Sequence, residues 1–408
     1  MGNFLNLVFD VWDSDNKPVP NLNHLNDKLN GEYIQIPHLL VNLPNPLVNI
    51  RKCQLNEVDA RDNYYYVINH LCAYKNLFTE FFWEIPQHIE DCIRHKNLNV
   101  IFLNEHESFK SIDTTIRDLT TILRKKNLNE KQFHIISNNS LLTETKSQTD
   151  TNINVGKINY LLECVSRDNE VKVTENDIVD DKKFIFLCHN RRPKTQRTDL
   201  LISLKRRGLL DSGAMDWSLT YGLLNDYIFD TKNFSLINYT ESDFDFLSKP
   251  KLSYYESNKD WFSDVNNYSA WEHLDLTTFQ QSYFNVVTES HFDIDDVHMS
   301  EKTFKPFYYF QLPLFLASYR HVELLKEEHG LFLFEDFIDH SYDKERDHHK
   351  RLNMVVSEIA RLSKMRDEIK RYYIENRDKL ISNHKYISNY HARNFTNKVF
   401  QKLSLKLL

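Results

Sequence analysis

Apolar positions along this chain fall in short blocks. Their spacing alternates between the continuous or every-second pattern of a strand and the three-to-four pattern of a helix. "FLNLVFDVW" (4–12) and "YYYVINHL" (64–71) are rich in β-branched and aromatic residues and predict strands. "PQHIEDCIRHKN" (86–97) has helical spacing, with Ile89, Cys92 and Ile93 on one face, and "LNVIFLNEHESF" (98–109) reads as a buried strand running into a polar loop. "IDTTIRDLTTILRKKNL" (112–128) is the best amphipathic helix of this half, with Asp113 expected at its N-cap and a basic last turn. "QFHIISNNS" (132–140) follows as a strand ending in turn-forming asparagines, and the polar stretch 143–157 reads as a loop or linker.

The second half repeats this alternation. "KKFIFLCHN" (182–190) predicts a fully buried strand, and "TQRTDLLISLKRRGLL" (195–210) a helix stopped by Gly208. "SYFNVVTES" (282–290) is a strand, followed by an acidic loop and then "VHMSEKTFKPFYYFQLPLF" (297–315). Ser300 reads as an N-cap with Glu301 and Lys302 in the first helical turn. Pro306 leaves three options open: a helix that starts tightly, one that kinks at the proline, or one that begins later. "PLFLAS" (313–318) is a strand, "HVELLKEEHG" (321–330) a helix closed by Gly330, "LFLFEDF" (331–337) one more strand, and 350–381 a long helix. The alternation predicts an α/β class with two Rossmann-like domains facing a cleft, plus C-terminal helices. The expected limits are 1–165, 166–345 and 346–408, the last packing on one or both domains.

Composition then narrows the class. At 408 residues the chain is too long for one ordinary core and fits two domains. Its 41% hydrophobic and 27% charged residues are those of a globular protein, and the formal charge of −7 argues against nonspecific binding of polyanions. The five cysteines show no C-x-x-C spacing and read as reduced thiols. The start of the chain lacks a basic, apolar leader, Asn6 stands where a myristoylation signal has Ser or Thr, and no run reaches the roughly 18 apolar residues of a membrane span. The expectation is a cytoplasmic protein with no membrane span. Seven glycines and no G-x-G-x-x-G or G-x-x-x-x-G-K-[ST] exclude a dinucleotide dehydrogenase or a P-loop NTPase, which need close backbone approach to phosphate. Phosphate here must be held by side chains or by an ordinary helix N-terminus.

Two stretches offer that chemistry. "FLCHNRRPKTQRTDLL" sets Asn190, Arg191, Arg192, Lys194 and Arg197 between a buried strand and a helix, where helix N–H groups and guanidinium forks hold a diphosphate; the alternative is a solvated basic loop. In the second, Glu301 can accept two vicinal hydroxyls, as on a ribose, while Lys302 reaches phosphate, with Lys305 one turn further on. The alternative there is a dipole-favoured glutamate beside a surface lysine. Three Asp-x-Asp copies (13–15, 243–245, 293–295) discriminate too little to assign a metal, and the histidines of "DHHKR" (347–351) read as surface residues.

"SYFNVVTES", a variable loop and "SEKTFKPFYYFQLPLF", preceded by "FLCHNRRPKTQR", resemble the donor-binding elements of GT-B glycosyltransferases. The style is that of α-1,3-fucosyltransferases and related phage and large-DNA-virus enzymes. The likeness spans roughly 182–337. It implies a nucleotide-diphosphate sugar as donor substrate and a carbohydrate or other hydroxyl acceptor; no metal cofactor is expected, because the basic residues at 191–197 and 302 can take the cation's role. Glu301 would bind the ribose and Lys302 and Arg197 the diphosphate, with Asn190 and Glu289 lining the donor pocket. The bulky "FKPFYYFQ" and the long "HFDIDDVHM" insertion depart from that pattern and leave the sugar open. Independently of the likeness, glycosyl transfer must neutralise a leaving diphosphate and deprotonate an acceptor hydroxyl. "NEHESF" supplies Glu105, His106 and Glu107 as candidate bases at a strand end in the first half, with Glu107 preferred. Two further readings stay open: a catalytically inactive nucleotide-sugar-binding or scaffold protein, and a viral DNA-base glycosyltransferase.

Overall fold

The computed structural model describes residues 4–9, 11–12, 18–19, 49–54, 57–69, 87–104, 112–157, 162, 173–190, 194–217, 236–248, 276–293 and 296–390. The chain divides into two compact units, one of residues 1–161, 294–298 and 391–408, the other of 162–293 and 299–390. Each is α/β with a parallel sheet, consistent with the Rossmann-like expectation. Among the described residues no helix is long and apolar enough to cross a membrane.

The strands of the first unit are β1 (Phe4–Phe9), β2 (Val11–Trp12), β3 (Pro18–Val19), β4 (Asn49–Gln54), β5 (Tyr64–Asn69), β6 (Leu98–Asn104), β7 (Phe133–Ser137) and β8 (Asn154–Lys157). Its main sheet has the order β4-β1-β5-β6-β7-β8 with every neighbour parallel, and β2 and β3 form a separate antiparallel pair. Helices α1 (Gln87–His95), α2 (Ile112–Lys125) and α3 (Leu142–Ser147) belong to this unit. Strand and helix periods meet in one core. Tyr64, Tyr66, Val100, Phe102, Phe133 and Ile135 alternate along their strands, and they pack with Ile89, Cys92, Ile93, Ile116, Leu119 and Leu123 from the helices.

Two readings are corrected here. Asp113 is not the N-cap of α2 but lies inside it, where its carboxylate pairs with Arg117 one turn on at 2.8 Å. The polar stretch 143–157 is not a loop: it supplies α3 and the edge strand β8. An edge strand has one partner and needs no apolar run; β8 is half-buried throughout.

The second unit contains β9 (Phe184–Asn190), α4 (Thr195–Arg206), β10 (Gly213–Trp217), α5 (Glu241–Ser248), α6 (Leu276–Gln280), β11 (Ser282–Thr288), α7 (Glu301–Tyr308), β12 (Leu312–Leu316), α8 (His321–His329), α9 (His348–Leu362), α10 (Arg366–Glu375) and α11 (Arg377–Ser388). Its sheet has the order β10-β9-β11-β12, again all parallel. β11 and β12 are buried along their whole length, as expected of strands covered on both faces. Gly208 (φ 67°) and Gly330 (φ 61°) take the left-handed conformation that ends a helix.

Here too the chain departs from its pattern. The apolar run 331–337 is not a strand. Asn383 of α11 donates to the Phe332 carbonyl (2.8 Å) and accepts from its N–H (2.9 Å), so a side-chain amide occupies the groups a ladder would use. The long helix expected over 350–381 is three helices, α9 to α11, with breaks at Ser363–Met365 and at Asn376. Tyr373 of α10 donates to the Phe310 carbonyl at 2.7 Å, and His384 of α11 stacks on the Phe310 ring at 4.4 Å. The breaks let successive helices meet different parts of that surface.

Candidate functional site

The order β10-β9-β11-β12 contains a switch point. From β9 the chain crosses to β10 on one side, and from β11 it crosses to β12 on the other. Right-handed crossovers in opposite directions put the following helices on opposite faces, so a crevice is expected at the carboxyl ends of β9 and β11. Most of the second-unit residues singled out from sequence lie there.

The Glu289–Ser290 dipeptide, directly after β11, ties the two helix starts together. Its main-chain carbonyls serve the α4 side: Gln196 Nε2 donates to the Glu289 carbonyl at 2.9 Å and Lys194 Nζ to the Ser290 carbonyl at 3.1 Å. Lys194 is the N-cap residue of α4, and its own carbonyl receives the Arg197 and Thr198 N–H groups. The Glu289 side chain serves the α7 side. Its Oε1 accepts from the Ser300 N–H (3.0 Å), the Ser300 hydroxyl (2.9 Å) and the Thr303 hydroxyl (2.5 Å), and its Oε2 accepts from the Ser290 N–H (3.2 Å). Thr303 Oγ1 also lies 3.0 Å from His321 Nε2. A carboxylate only accepts, so the threonine gives its one proton to Glu289 and takes one from a His321 protonated at Nε2.

Ser300 caps α7 as its residue type predicts, its hydroxyl accepting from the Lys302 N–H at 3.2 Å. Glu301 and Lys302 therefore occupy the first turn, and of the three options left by Pro306 the helix that begins later falls. The helix starts at Glu301 and carries the proline inside, where the Lys302 carbonyl loses its usual i+4 donor. Lys302 Nζ meets Glu301 Oε1 at 2.7 Å. Burial by itself would raise the Glu301 carboxyl, but the Lys302 and Lys305 ammonium groups outweigh it and hold it down at about 2. Glu301 is thus an anion throughout the neutral range, beside two cations, at the positive end of a helix.

Asn190 and Arg197 are the buried parts of the crevice floor. Asn190, at the last position of β9, accepts from the Thr288 hydroxyl at 2.6 Å, and Arg197 Nη2 donates to the Thr288 carbonyl at 2.9 Å. The structure thus gathers Asn190, Lys194, Arg197, Glu289, Ser300, Glu301, Lys302 and Lys305 around one strand end and two helix starts. Glu289 is fully buried and acts there as the anchor of α7. Arg191 and Arg192, together with Glu105, His106 and Glu107, lie outside the described residues.

Sequence reading missed Gln196, Thr288, Thr303 and His321. Ser300 and Thr303 stand in a capping-box spacing with Thr in place of the acid, a legible signal, whereas His321 carries no local mark. Comparison with protein-family models and with curated proteins finds no match to this chain.

Proposed function

We propose that this chain is a nucleotide-sugar-dependent glycosyltransferase of the GT-B type, inverting and metal-independent, whose donor site is the crevice at the ends of β9 and β11. The observation that carries this reading is the convergence of two helix N-termini on Glu289–Ser290, with Lys194, Lys302 and Lys305 around them. Aligned N–H groups and compact ammonium groups are what a diphosphate needs when no glycine-rich loop is present, and they stabilise it further as charge develops on the leaving group. Glu301, kept ionised, accepts the two ribose hydroxyls. Arg197, bound to the Thr288 carbonyl, is read as a strut of the floor that brings positive charge near the phosphates. In this reading the first unit supplies the acceptor side, with Glu107 as the base that takes the acceptor's proton.

Calorimetric titration with a nucleoside and its diphosphate tests the donor site. Lys302→Ala should weaken the diphosphate roughly 10- to 150-fold and leave the nucleoside nearly unchanged, since a charge-assisted hydrogen bond is worth about 1.5–3 kcal/mol. Glu301→Gln should weaken both ligands. Equal affinities in wild type and Lys302→Ala would remove the reading. If EDTA abolishes transfer and magnesium or manganese restores it, metal independence falls. A folded protein that neither transfers nor hydrolyses any of a panel of nucleotide sugars, yet binds them, would be a binding protein instead.

A further inference from the structure

The first unit carries an open groove of about 400 Å³ at the amino-terminal ends of its strands, lined by residues just before β5, β6 and β7 and at the end of α1. Ligands of open parallel sheets are expected at the opposite, carboxyl ends, so this groove is separate from any site built by the sheet's usual logic. Its size lies in the range of small-molecule sites, roughly 300–1,000 Å³.

Its chemistry is one-sided. Arg94, Lys96 and Lys131 line it, and among the described residues no carboxylate does. Around it Glu90 is engaged by Arg94 and Lys126, Glu130 by Arg124 and Asp59 by Arg61, while Asp62 is exposed beside Asn63; neither Lys96 nor Lys131 has an ion pair among the described residues. Asn97, Asn99 and Gln132 line the groove as well. Their amide nitrogens are tied to the main chain: Asn97 Nδ2 donates to the Ala60 carbonyl (2.8 Å), Asn99 Nδ2 to the Tyr64 carbonyl (3.2 Å), and Gln132 Nε2 to the Ile93 carbonyl (2.8 Å). A carbonyl only accepts, so these bonds fix each amide with its nitrogen turned to the backbone. Asn99 and Gln132 spend both amide hydrogens on carbonyls and keep their oxygens, which accept from hydroxyls, while Asn97 keeps its oxygen and one N–H.

The choice of anion follows from Arg94. Its Nε and Nη2 are on Glu90 (3.3 and 2.7 Å) and its Nη1 on the Asn127 carbonyl (3.2 Å), so no guanidinium fork remains for the planar, two-point grip a carboxylate favours. Two compact lysine ammoniums suit a phosphate. We propose that this groove binds a phosphorylated sugar, its phosphate between Lys96 and Lys131 and its hydroxyls on the amide oxygens of Asn97, Asn99 and Gln132. The inference uses no residue of the proposed donor site and stands whether or not that reading holds.

Calorimetric titration of the full chain with glucose 6-phosphate, glucose, inorganic phosphate and glucuronate tests it. Glucose 6-phosphate should bind best. Lys96→Gln and Lys131→Gln, both at the protein surface and so expected to fold, should each weaken it about 10-fold or more. Asn97→Ala should weaken glucose 6-phosphate and leave inorganic phosphate unchanged, and Lys302→Ala should alter neither. No binding of glucose 6-phosphate up to about 10 mM would overturn the proposal. So would wild-type affinity in both lysine variants, or a loss seen in Lys302→Ala instead. Glucuronate binding as tightly would overturn the phosphate assignment, and inorganic phosphate binding as tightly would overturn the sugar.

Discussion

Glu289→Gln is the substitution that most directly probes how the crevice is built. The carboxylate is fully buried and takes four donors, three on Oε1 and the Ser290 N–H on Oε2. A glutamine that keeps its oxygen at the Oε1 position retains the three bonds to Ser300 and Thr303 but makes them neutral. A hydrogen bond to a charged group is worth about 1.5–3 kcal/mol against about 0.5–1.5 for a neutral one, so roughly 1 kcal/mol is lost at each. The new NH2 then faces the Ser290 N–H, donor against donor; Ser290 is only half-buried, so water can relieve part of that cost. The expected loss is about 3 kcal/mol, measured as a fall in the urea midpoint at unchanged slope. Thr303→Val removes one of the same bonds, so the double variant should lose less than the sum of the singles. Because Glu289 is buried beneath α7, any accompanying loss of nucleotide diphosphate affinity must act through the placement of Ser300 and Lys302. A stability change below about 0.5 kcal/mol, the scale of an ordinary surface substitution, or strict additivity with Thr303→Val, would refute the anchoring role.

Gly213→Ala would put a Cβ 2.2 Å from Phe186 Cε2 and 2.4 Å from Cζ, far inside the ~3.5 Å of carbon contact, in the neighbouring strand. It should cost about 1–3 kcal/mol in thermal or urea unfolding, and Phe186→Leu should recover part of that in the double variant; an unchanged Tm would show that the sheet gives way freely. Glu107→Gln should preserve donor binding and slow transfer roughly 10²-fold or more in a steady-state assay, and unchanged turnover would move the base elsewhere. Burial raises the Asp343 carboxyl to about 6, against the bonds it accepts from the Val322 and Glu323 N–H groups and the nearby Arg351 charge. A raised carboxyl pKa means the folded state holds the proton longer. Its contribution is complete below the unfolded value near 3.9 and is lost as pH rises through 6, a fall of about 3 kcal/mol. Urea unfolding of wild type should carry that slope between about pH 4 and 6 and Asp343→Asn should not; parallel pH profiles would refute it.

Most of the frame was legible along the chain because it rests on local chemistry. Apolar runs marked β6, β7, β9, β11 and β12, helical spacing marked α1, α2 and α4, and the serine before an acid–base pair marked the start of α7. Gly208 and Gly330 marked helix ends, since the left-handed conformation there costs glycine little. Tertiary structure decided what depends on neighbours distant in sequence. β10 ("GAMDW") carries no apolar run. Yet its place outside β9 sends the first crossover one way while β11 and β12 go the other, and so creates the switch point. The edge strand β8 needs only one partner and so stays polar, while in 331–337, apolar as any strand, the backbone groups of Phe332 are taken by Asn383. Glu289 shows the same division within a single residue. The resemblance to donor-binding elements made it a candidate to line a pocket, and only the fold brings Ser300 and Thr303, eleven and fourteen residues on, to fill its carboxylate. Hydrophobic period and cap chemistry are set within a few residues and can be read from them. Strand order and the partner of a buried charge are set by long-range packing, which no short window of sequence contains.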